Sequence, residues 1–381
     1  MKKLLAIPAF VSLLFSAVYG DDPPRISTSL VLIPSGYVIN SGLGFVSHTS
    51  TTVAGISATN PASMDDFNKI SAGMSFLYAT PIDSAVNLIR VEHSRVSPML
   101  PQNFGLVLPS RNFRFGVGFN QKYSSSLDFG PFPVVTQNDP GGTGETIDAV
   151  QDKYVYSGSG LVSYQFSNFL NNDHRFSLGL QIDINYLRDY ESLGSFSAEA
   201  TDQSVTWKAG ARYSFLDLLQ LGVAFDKGAN FEGKVEYKGG GFLIQDSGFV
   251  SQPIENQFTA KLPNRLLIGL AFKISEKLRL ANDFTYVYWE KIYSELQNQL
   301  DISGNFYFLA SEKLSLSAGF YSTQREIKDS NTSDDNAFFL SAGILARIKS
   351  AEIEAVLADS HLFSSDTRKQ TLARLSLGFS L

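Results

Sequence analysis

Arg175-Phe176-Ser177-Leu178-Gly179-Leu180-Gln181-Ile182-Asp183-Ile184-Asn185-Tyr186 places an apolar side chain at every even position and a polar or small one between. Successive side chains of a strand point to opposite faces, so a period of two gives one greasy face and one wet face. The same period recurs at Ile70, Ala72, Met74, Phe76 and Tyr78, and at Phe113, Phe115, Val117 and Phe119. It returns at Leu278, Leu280, Phe284, Tyr286 and Tyr288, at Leu300, Ile302, Phe306 and Phe308, and at Leu375, Leu377, Phe379 and Leu381.

A soluble sandwich alternates as well, so the connections decide. Fourteen strands are expected, centred near residues 74, 106, 118, 160, 181, 209, 224, 268, 283, 304, 318, 342, 355 and 376. Tight connections fall near Ser110-Arg111, Phe169 to Asp173, Phe215 to Leu218, Ser275-Glu276, Ser311-Glu312 and Lys349-Ser350. Longer ones lie between them: Ala79 to Gln102, Ser125 to Asp152, Glu191 to Gln203, Glu232 to Lys261, Glu290 to Gln297, Gln324 to Asn336 and Ser360 to Lys369. Short turns alternating with long loops mark an outer-membrane barrel, with both chain ends on the periplasmic side. An open sheet edge in hydrocarbon would leave N–H and C=O groups unsatisfied, so the strands must close. The expected fold is therefore all-β, a 14-stranded antiparallel transmembrane β-barrel.

Composition agrees. Of 381 residues, 44% are apolar and 18% charged, with 30 Phe, 16 Tyr and 30 Gly, a profile of membrane β-structure. No cysteine is present, which excludes disulfides, thiol nucleophiles and Cys-ligated metals. The 31 basic and 37 acidic residues give a charge of −6, so no nucleic-acid partner is expected. Lys2 and Lys3 precede an apolar run from Leu4 to Leu14, and Ala17-Val18-Tyr19-Gly20 supplies small residues before Asp21, the pattern of a signal peptide over 1–20. That run is too short to span a bilayer as a helix, and Pro8 interrupts it.

A fourteen-stranded lumen is too wide for side chains to fill, so it holds a plug or water. Residues 21–68 precede the first strand, 69–381 form the barrel, and the Gly/Ser/Thr-rich leader carries Val53, Ile56, Met64 and Phe67, poor choices for a solvated tail. An N-terminal hatch inside the lumen is expected. Gly42-Leu43-Gly44, followed by small residues and then Asn60-Pro61-Ala62, resembles the hatch of the FadL-type family, outer-membrane transporters of long-chain fatty acids and aromatic hydrocarbons. Pro98 to Asp128, with Pro101-Gln102-Asn103-Phe104 and Gly116-Val117-Gly118, is similar to that family's second and third strands. Leu262-Pro263, Ile268-Gly269, Phe272-Lys273, Leu278, Leu280, Asp283, Tyr286 and Trp289 resemble its pattern across one hairpin.

The resemblance implies passive uptake of a hydrophobic small molecule through a plugged barrel in the outer membrane of a Gram-negative-type bacterium. Expected partners are that molecule, outer-membrane lipid and lipopolysaccharide, and the barrel-assembly machinery; no cofactor is implied. Gly42, Gly44, Asn60, Pro61 and Ala62 become hatch and gating candidates. Apolar residues on the inward face are candidates for the ligand pocket: Leu77, Val107, Leu161, Val287, Trp289, Tyr307, Tyr321, Phe339 and Leu345. Phe242, Leu243, Ile244, Phe249 and Val250 are candidates for an outer-loop groove. A PorV-type barrel, similar in hatch and wall, acts instead in protein secretion or surface attachment, and is the alternative.

No enzyme is expected. The four histidines, His48, His93, His174 and His361, are scattered, and neither His-Glu-x-x-His nor Gly-x-Ser-x-Gly occurs. Gly141-Gly142-Thr143-Gly144-Glu145 lacks the lysine of a phosphate loop. Asp329 to Asp335 resembles half of a calcium loop, but Asp334 stands where Gly is needed and Leu340 where Glu is needed, so no metal site is expected.

Overall fold

The computed structural model describes residues 27–30, 38–80, 82–86, 89–94, 101–133, 146–166, 173–194, 196–216, 218–238, 256–294, 296–323, 337–362 and 369–381. Fourteen strands among them form the barrel. The first seven are β1 (Ser71–Ala79), β2 (Asn103–Ser110), β3 (Phe113–Pro133), β4 (Thr146–Phe166), β5 (His174–Leu193), β6 (Phe196–Phe215) and β7 (Leu219–Asp226). The second seven are β8 (Arg265–Lys273), β9 (Leu278–Val287), β10 (Gln299–Ser311), β11 (Leu314–Thr323), β12 (Ala337–Ile348), β13 (Ala351–Asp359) and β14 (Thr371–Ser380). Each pairs antiparallel with the next, and β14 pairs with β1 from Ser71↔Ser380 to Ala79↔Leu372, which closes the wall. Every strand centre expected from the sequence lies within its strand.

The greasy faces point outward: Phe76, Phe115, Ile182, Phe306 and Leu357 are exposed, while Ser177, Gln181, Asp183 and Asn185 of β5 are fully buried on the lumen side. This arrangement is inside-out relative to a soluble protein, as lipid as solvent requires.

Several expected loops are instead strand. β4, β5 and β6 run 21, 20 and 20 residues, roughly twice the ~9–11 that cross a bilayer, so this wall stands beyond the membrane. The expected loop from Glu191 to Gln203 is the end of β5, a tight turn at Gly194 (φ +57°) and the start of β6. Likewise β3 and β4 cover most of Ser125 to Asp152. Strands Ile82–Val86 and Ile89–Ser94 occupy part of Ala79 to Gln102, and strands Asn230–Lys238 and Asn256–Lys261 part of Glu232 to Lys261. The physical reason is an inversion of polarity. Outside the membrane the outward face becomes polar, with Arg188 and Glu199 paired at 2.8 Å, and the inward face becomes mostly apolar, with Leu187, Ala198 and Ala200 buried beside one Lys153–Asp189 pair at 3.5 Å. Above the bilayer both signatures of a membrane strand are therefore absent.

Residues 38–67 lie inside the barrel. They contain two short 3-10 turns, Val53–Gly55 and Pro61–Asp66, and nearly all their side chains are buried. Three apolar clusters fill the interior. Val53, Ile56 and Met64 of the inner segment meet Val107 and Leu161 of the wall. Val38 and Leu43 meet Leu77, Tyr321, Phe339, Val356 and Leu372. The third cluster belongs to the long-loop end and is described below.

Candidate functional site

Reading the lumen from the tight-turn end outward, the first layer is the inner segment. Asn60 caps the turn Pro61–Asp66: its Oδ1 accepts from Ala62 N at 3.0 Å, and Pro61 supplies the fixed φ of a first helical position. Its Nδ2 donates to Ala211 O at 2.9 Å and to Val223 O at 3.3 Å, so one side chain ties the segment to β6 and β7. Arg212 pairs with Asp65 and with Asp66, the latter at 2.7 Å, and Ser177 donates to Asp65 at 2.6 Å. Burial outweighs Arg212 and raises the Asp65 pKa above the ordinary carboxylate value. The carbonyl of Ser57 accepts from Asn120, Gln181 and Lys208 at 2.9–3.0 Å. Arg374 donates to Leu43 O at 2.6 Å, and Phe45 N donates to Glu354 at 3.1 Å.

The wall makes room for this backbone with glycines. A Cβ at Gly105 would overlap the carbonyl of Val53, at Gly179 the peptide of Pro61-Ala62, at Gly210 the Asn60 amide, and at Gly222 the carbonyl of His48. Gly42 (φ +82°) and Gly44 (φ +56°) have left-handed backbone and press on Ser303 and Val356. All five hatch candidates are thus buried or tightly packed contacts between the inner segment and the wall.

His48 is fully buried. Its backbone N donates to Asp283 at 2.9 Å, and its Nε2 lies 3.0 Å from Thr285 Oγ1. Burial first, then Lys208 and Arg265, lower its pKa from 6.5 to about 3, which keeps the ring neutral. His174 contacts Tyr213 and His361 contacts Asp359, so these three rings serve separate places.

The second layer is charged. A bulge in β3 between Gln121 and Tyr123 turns Lys122 into the lumen, where it pairs with Asp183 at 2.8 Å. Asp226 pairs with Arg265 at 2.5 Å and with Lys208 at 3.8 Å. A polar cavity of about 40 Å³ adjoins this layer, lined by Asn40, Arg265, Asp283, Asp301 and Tyr321 among others.

The third layer, at the long-loop end, is apolar. Tyr123, Leu187, Phe231, Phe258, Val287 and Trp289 are 0–2% exposed and pack with Val155, Val235, Leu262 and Leu296. The Trp289 indole donates to Gln299 Oε1 at 3.1 Å, so its one polar atom is satisfied. Strands Asn230–Lys238 and Asn256–Lys261 bring Phe231 and Phe258 into this cluster, the first of them pairing with β6.

The nine pocket candidates therefore separate. Val287 and Trp289 share the apolar cluster at the long-loop end. Leu77, Tyr321 and Phe339 pack on Val38 and Leu43, and Val107 and Leu161 pack on the 53–64 stretch. Tyr307 stacks on Phe45 at 5.4 Å, and Leu345 lines the same cavity at the tight-turn end. Phe242, Leu243, Ile244, Phe249 and Val250 lie outside the described residues. Tyr123, Leu187, Phe231 and Phe258 are not among the candidates read from the sequence; the inverted alternation after Tyr186 marks Leu187, and the bulge between Gln121 and Tyr123 turns Tyr123 inward.

No family model and no curated protein sequence matches the chain. Solved structures do. The toluene transporter TbuX of Ralstonia pickettii superposes with a TM-score of 0.64 at 11% identity, over 89% of this chain and 97% of that one. A FadL homologue of Pseudomonas aeruginosa gives 0.63 at 14% identity, over 91% and 99%. The toluene transporter TodX of Pseudomonas putida gives 0.59 at 17% identity, over 91% and 97%. The chain has the FadL-type barrel fold. The resemblance read from Gly42-Leu43-Gly44, Asn60-Pro61-Ala62 and the 262–289 hairpin is thereby matched at the level of the fold. Identities this low leave function to the chain's own residues.

Proposed function

We propose that this protein is a passive channel in the bacterial outer membrane that takes up hydrophobic small molecules, with residues 1–20 a signal peptide, 21–68 a hatch and 69–381 the barrel. The observation that carries this reading is the apolar cluster at the long-loop end. Its wall is water-facing on the outside and mostly apolar on the inside, the reverse of the membrane belt below it. A fold that needed only stability in water gains nothing from a layer of charges beneath such a cluster. A channel that collects apolar molecules from water and must stay closed to ions gains both: an apolar receiver and a hydrogen-bonded plug.

Long-chain fatty acids and monoaromatic hydrocarbons are the ligand classes proposed, which accords with the toluene transporters among the structural neighbours. The test is uptake. Cells lacking the protein should take up labelled palmitate or toluene more slowly, with surface proteins still exported. Unchanged uptake together with surface proteins stranded in the periplasm would select the PorV-type escort role.

A further inference from the structure

The tight-turn end of the wall is basic, in a chain whose net charge is −6. Lys69 stands where the inner segment enters β1, Arg111 between β2 and β3, Lys277 between β8 and β9, Lys313 between β10 and β11, and Lys349 between β12 and β13. All are exposed, and none forms an ion pair with a carboxylate among the described residues. Lys273 and Arg347, on the flanking strand ends, are answered by Glu276 and Glu352 at 2.8 Å. Asp66 is held by Arg212, so Asp173 and Glu312 are the remaining described acids at this end. The long-loop end differs, because its exposed lysines are interspersed with exposed Asp128, Asp148, Glu232, Glu236 and Glu290.

Four of the cations adjoin the edge of the greasy belt. Ile70, Phe113, Ile274 and Ile348 lie within three residues of them and are 44–59% exposed. A long basic side chain there lays its stem on apolar surface and carries its charge to the level of lipid headgroups. Arg111 (φ +53°) and Lys349 (φ +55°) hold left-handed backbone, where glycine or asparagine is favoured, so a cation stands at these apices against conformational preference. Leu216 (φ +50°) does the same with an exposed apolar side chain. Cation and apolar group are the two chemistries of a membrane boundary.

We propose that this rim is a docking surface for the phosphate headgroups of anionic phospholipid in the leaflet that the tight turns face. Anionic lipid attracts basic side chains at its surface, and the attraction dies away within a Debye length. The cations are strung one to a turn along the wall, so lipids flanking the barrel meet them singly. A compact soluble polyanion would reach few of them. The inference rests on the membrane reading of the barrel and is indifferent to what the barrel carries.

The test uses the purified full chain in a neutral maltoside detergent, mixed with equimolar dioleoyl-phosphatidylglycerol and dioleoyl-phosphatidylcholine. Phospholipid that stays with the protein through gel filtration is quantified by mass spectrometry. The anionic lipid should exceed the neutral one roughly fivefold at about 0.05 M salt and approach parity at 1 M, where the screening length is ~3 Å. A rim protein combining Lys69→Gln, Arg111→Gln, Lys277→Gln, Lys313→Gln and Lys349→Gln should show parity at low salt. A control combining Lys227→Gln, Lys238→Gln, Lys261→Gln, Lys291→Gln and Lys369→Gln should keep the parental preference. Heat-modifiable migration checks both folds, and the salt series on the parent reads the surface even where the rim protein does not fold. Parity in the parent at low salt overturns the proposal, as does a preference that survives 1 M salt or the rim substitutions, or an equal loss in the control. Displacement of the anionic lipid by millimolar glycerol phosphate would mark a site for soluble phosphate and overturn the lipid assignment. Each of these failures leaves the uptake reading standing, because none involves the lumen.

Discussion

Asn60 and Ala211 are 151 residues apart in sequence, and the Asn60 Nδ2 donates to the Ala211 carbonyl at 2.9 Å. The same amide caps the next turn through Ala62 N and reaches Val223 O, so one buried side chain fixes the turn and its seat together. Losing the cap alone costs about 1 kcal/mol. Asn60→Ala combined with Pro61→Ala should therefore loosen the segment without unfolding the wall. Planar-bilayer recordings should show small, flickering leakage and cells should show reduced uptake. Quiet recordings would mean that the pair is only a turn.

Gly210 and Gly158 separate packing from propensity. A Cβ at Gly210 would overlap Asn60 Oδ1, whereas at Gly158 nothing lies within 4 Å. Gly210→Ala is expected to unseat the inner segment and raise conductance, although alanine suits a strand no worse than glycine. Gly158→Ala should record like the parent. Equal behaviour of the two would show that the segment does not seat on β6 in the bilayer.

Removing the segment is the direct test of plugging. Deletion of residues 21–58 takes away the contacts of Leu43, Phe45, His48 and Ser57 with the wall, while the β1–β14 closure does not involve them. The expected product is a folded, heat-modifiable barrel with large, persistent ion conductance. If it conducts no better than the intact chain, no route through a hatch exists.

The pH dependence of seating follows from His48. Its folded pKa, about 3, lies below the 6.5 of the solvated ring. The unseated ring therefore binds a proton that the seated ring refuses. The stability concerned is fully present above pH 6.5 and is lost as pH falls from 6.5 towards 3, at about 1.4 kcal/mol per unit. Lys208 and Arg265, which face the ring, oppose its protonation, and Asp283 holds its backbone N–H. Between pH 7.5 and 5 the open fraction of the parent should rise relative to that of the His48→Gln protein, by up to about thirtyfold. An equal pH response of the parent and the His48→Gln protein would place the titrating group elsewhere.

The membrane belt was legible because lipid enforces one rule on every strand crossing it, and Phe176 to Tyr186 obeys it at each position. The wall beyond the belt was not, because at Leu187 and Arg188 the rule reverses and the segment reads as a polar loop. The seat of the inner segment left little trace for another reason. Many of its contacts are made through carbonyls, such as Ser57 O beneath Asn120, Gln181 and Lys208, and any residue has a carbonyl. What the sequence does record is absence of side chain, at Gly105, Gly179, Gly210 and Gly222, and such gaps acquire meaning only once the strands are in register.

The uptake reading is decided most directly at Trp289. The chain has two tryptophans: Trp207 is 44% exposed on the outward face of β6, and Trp289 is fully buried in the apolar cluster at the long-loop end. In a Trp207→Phe protein all indole emission reports that cluster. A bromoalkane that enters it should quench that emission saturably, because the heavy atom must come close to the ring, and toluene should compete. A quencher confined to detergent would instead act in proportion to its concentration without saturation. Phe231 and Phe258, packed in the same cluster, set the space available. Phe231→Ala removes apolar contact worth about 1–2 kcal/mol to a ligand lying against it, so the apparent affinity should fall roughly tenfold while heat modifiability is kept. Linear quenching in the parent, unaffected by toluene and by Phe231→Ala, would show that the cluster is a solid core, and the uptake reading would lose the observation that carries it.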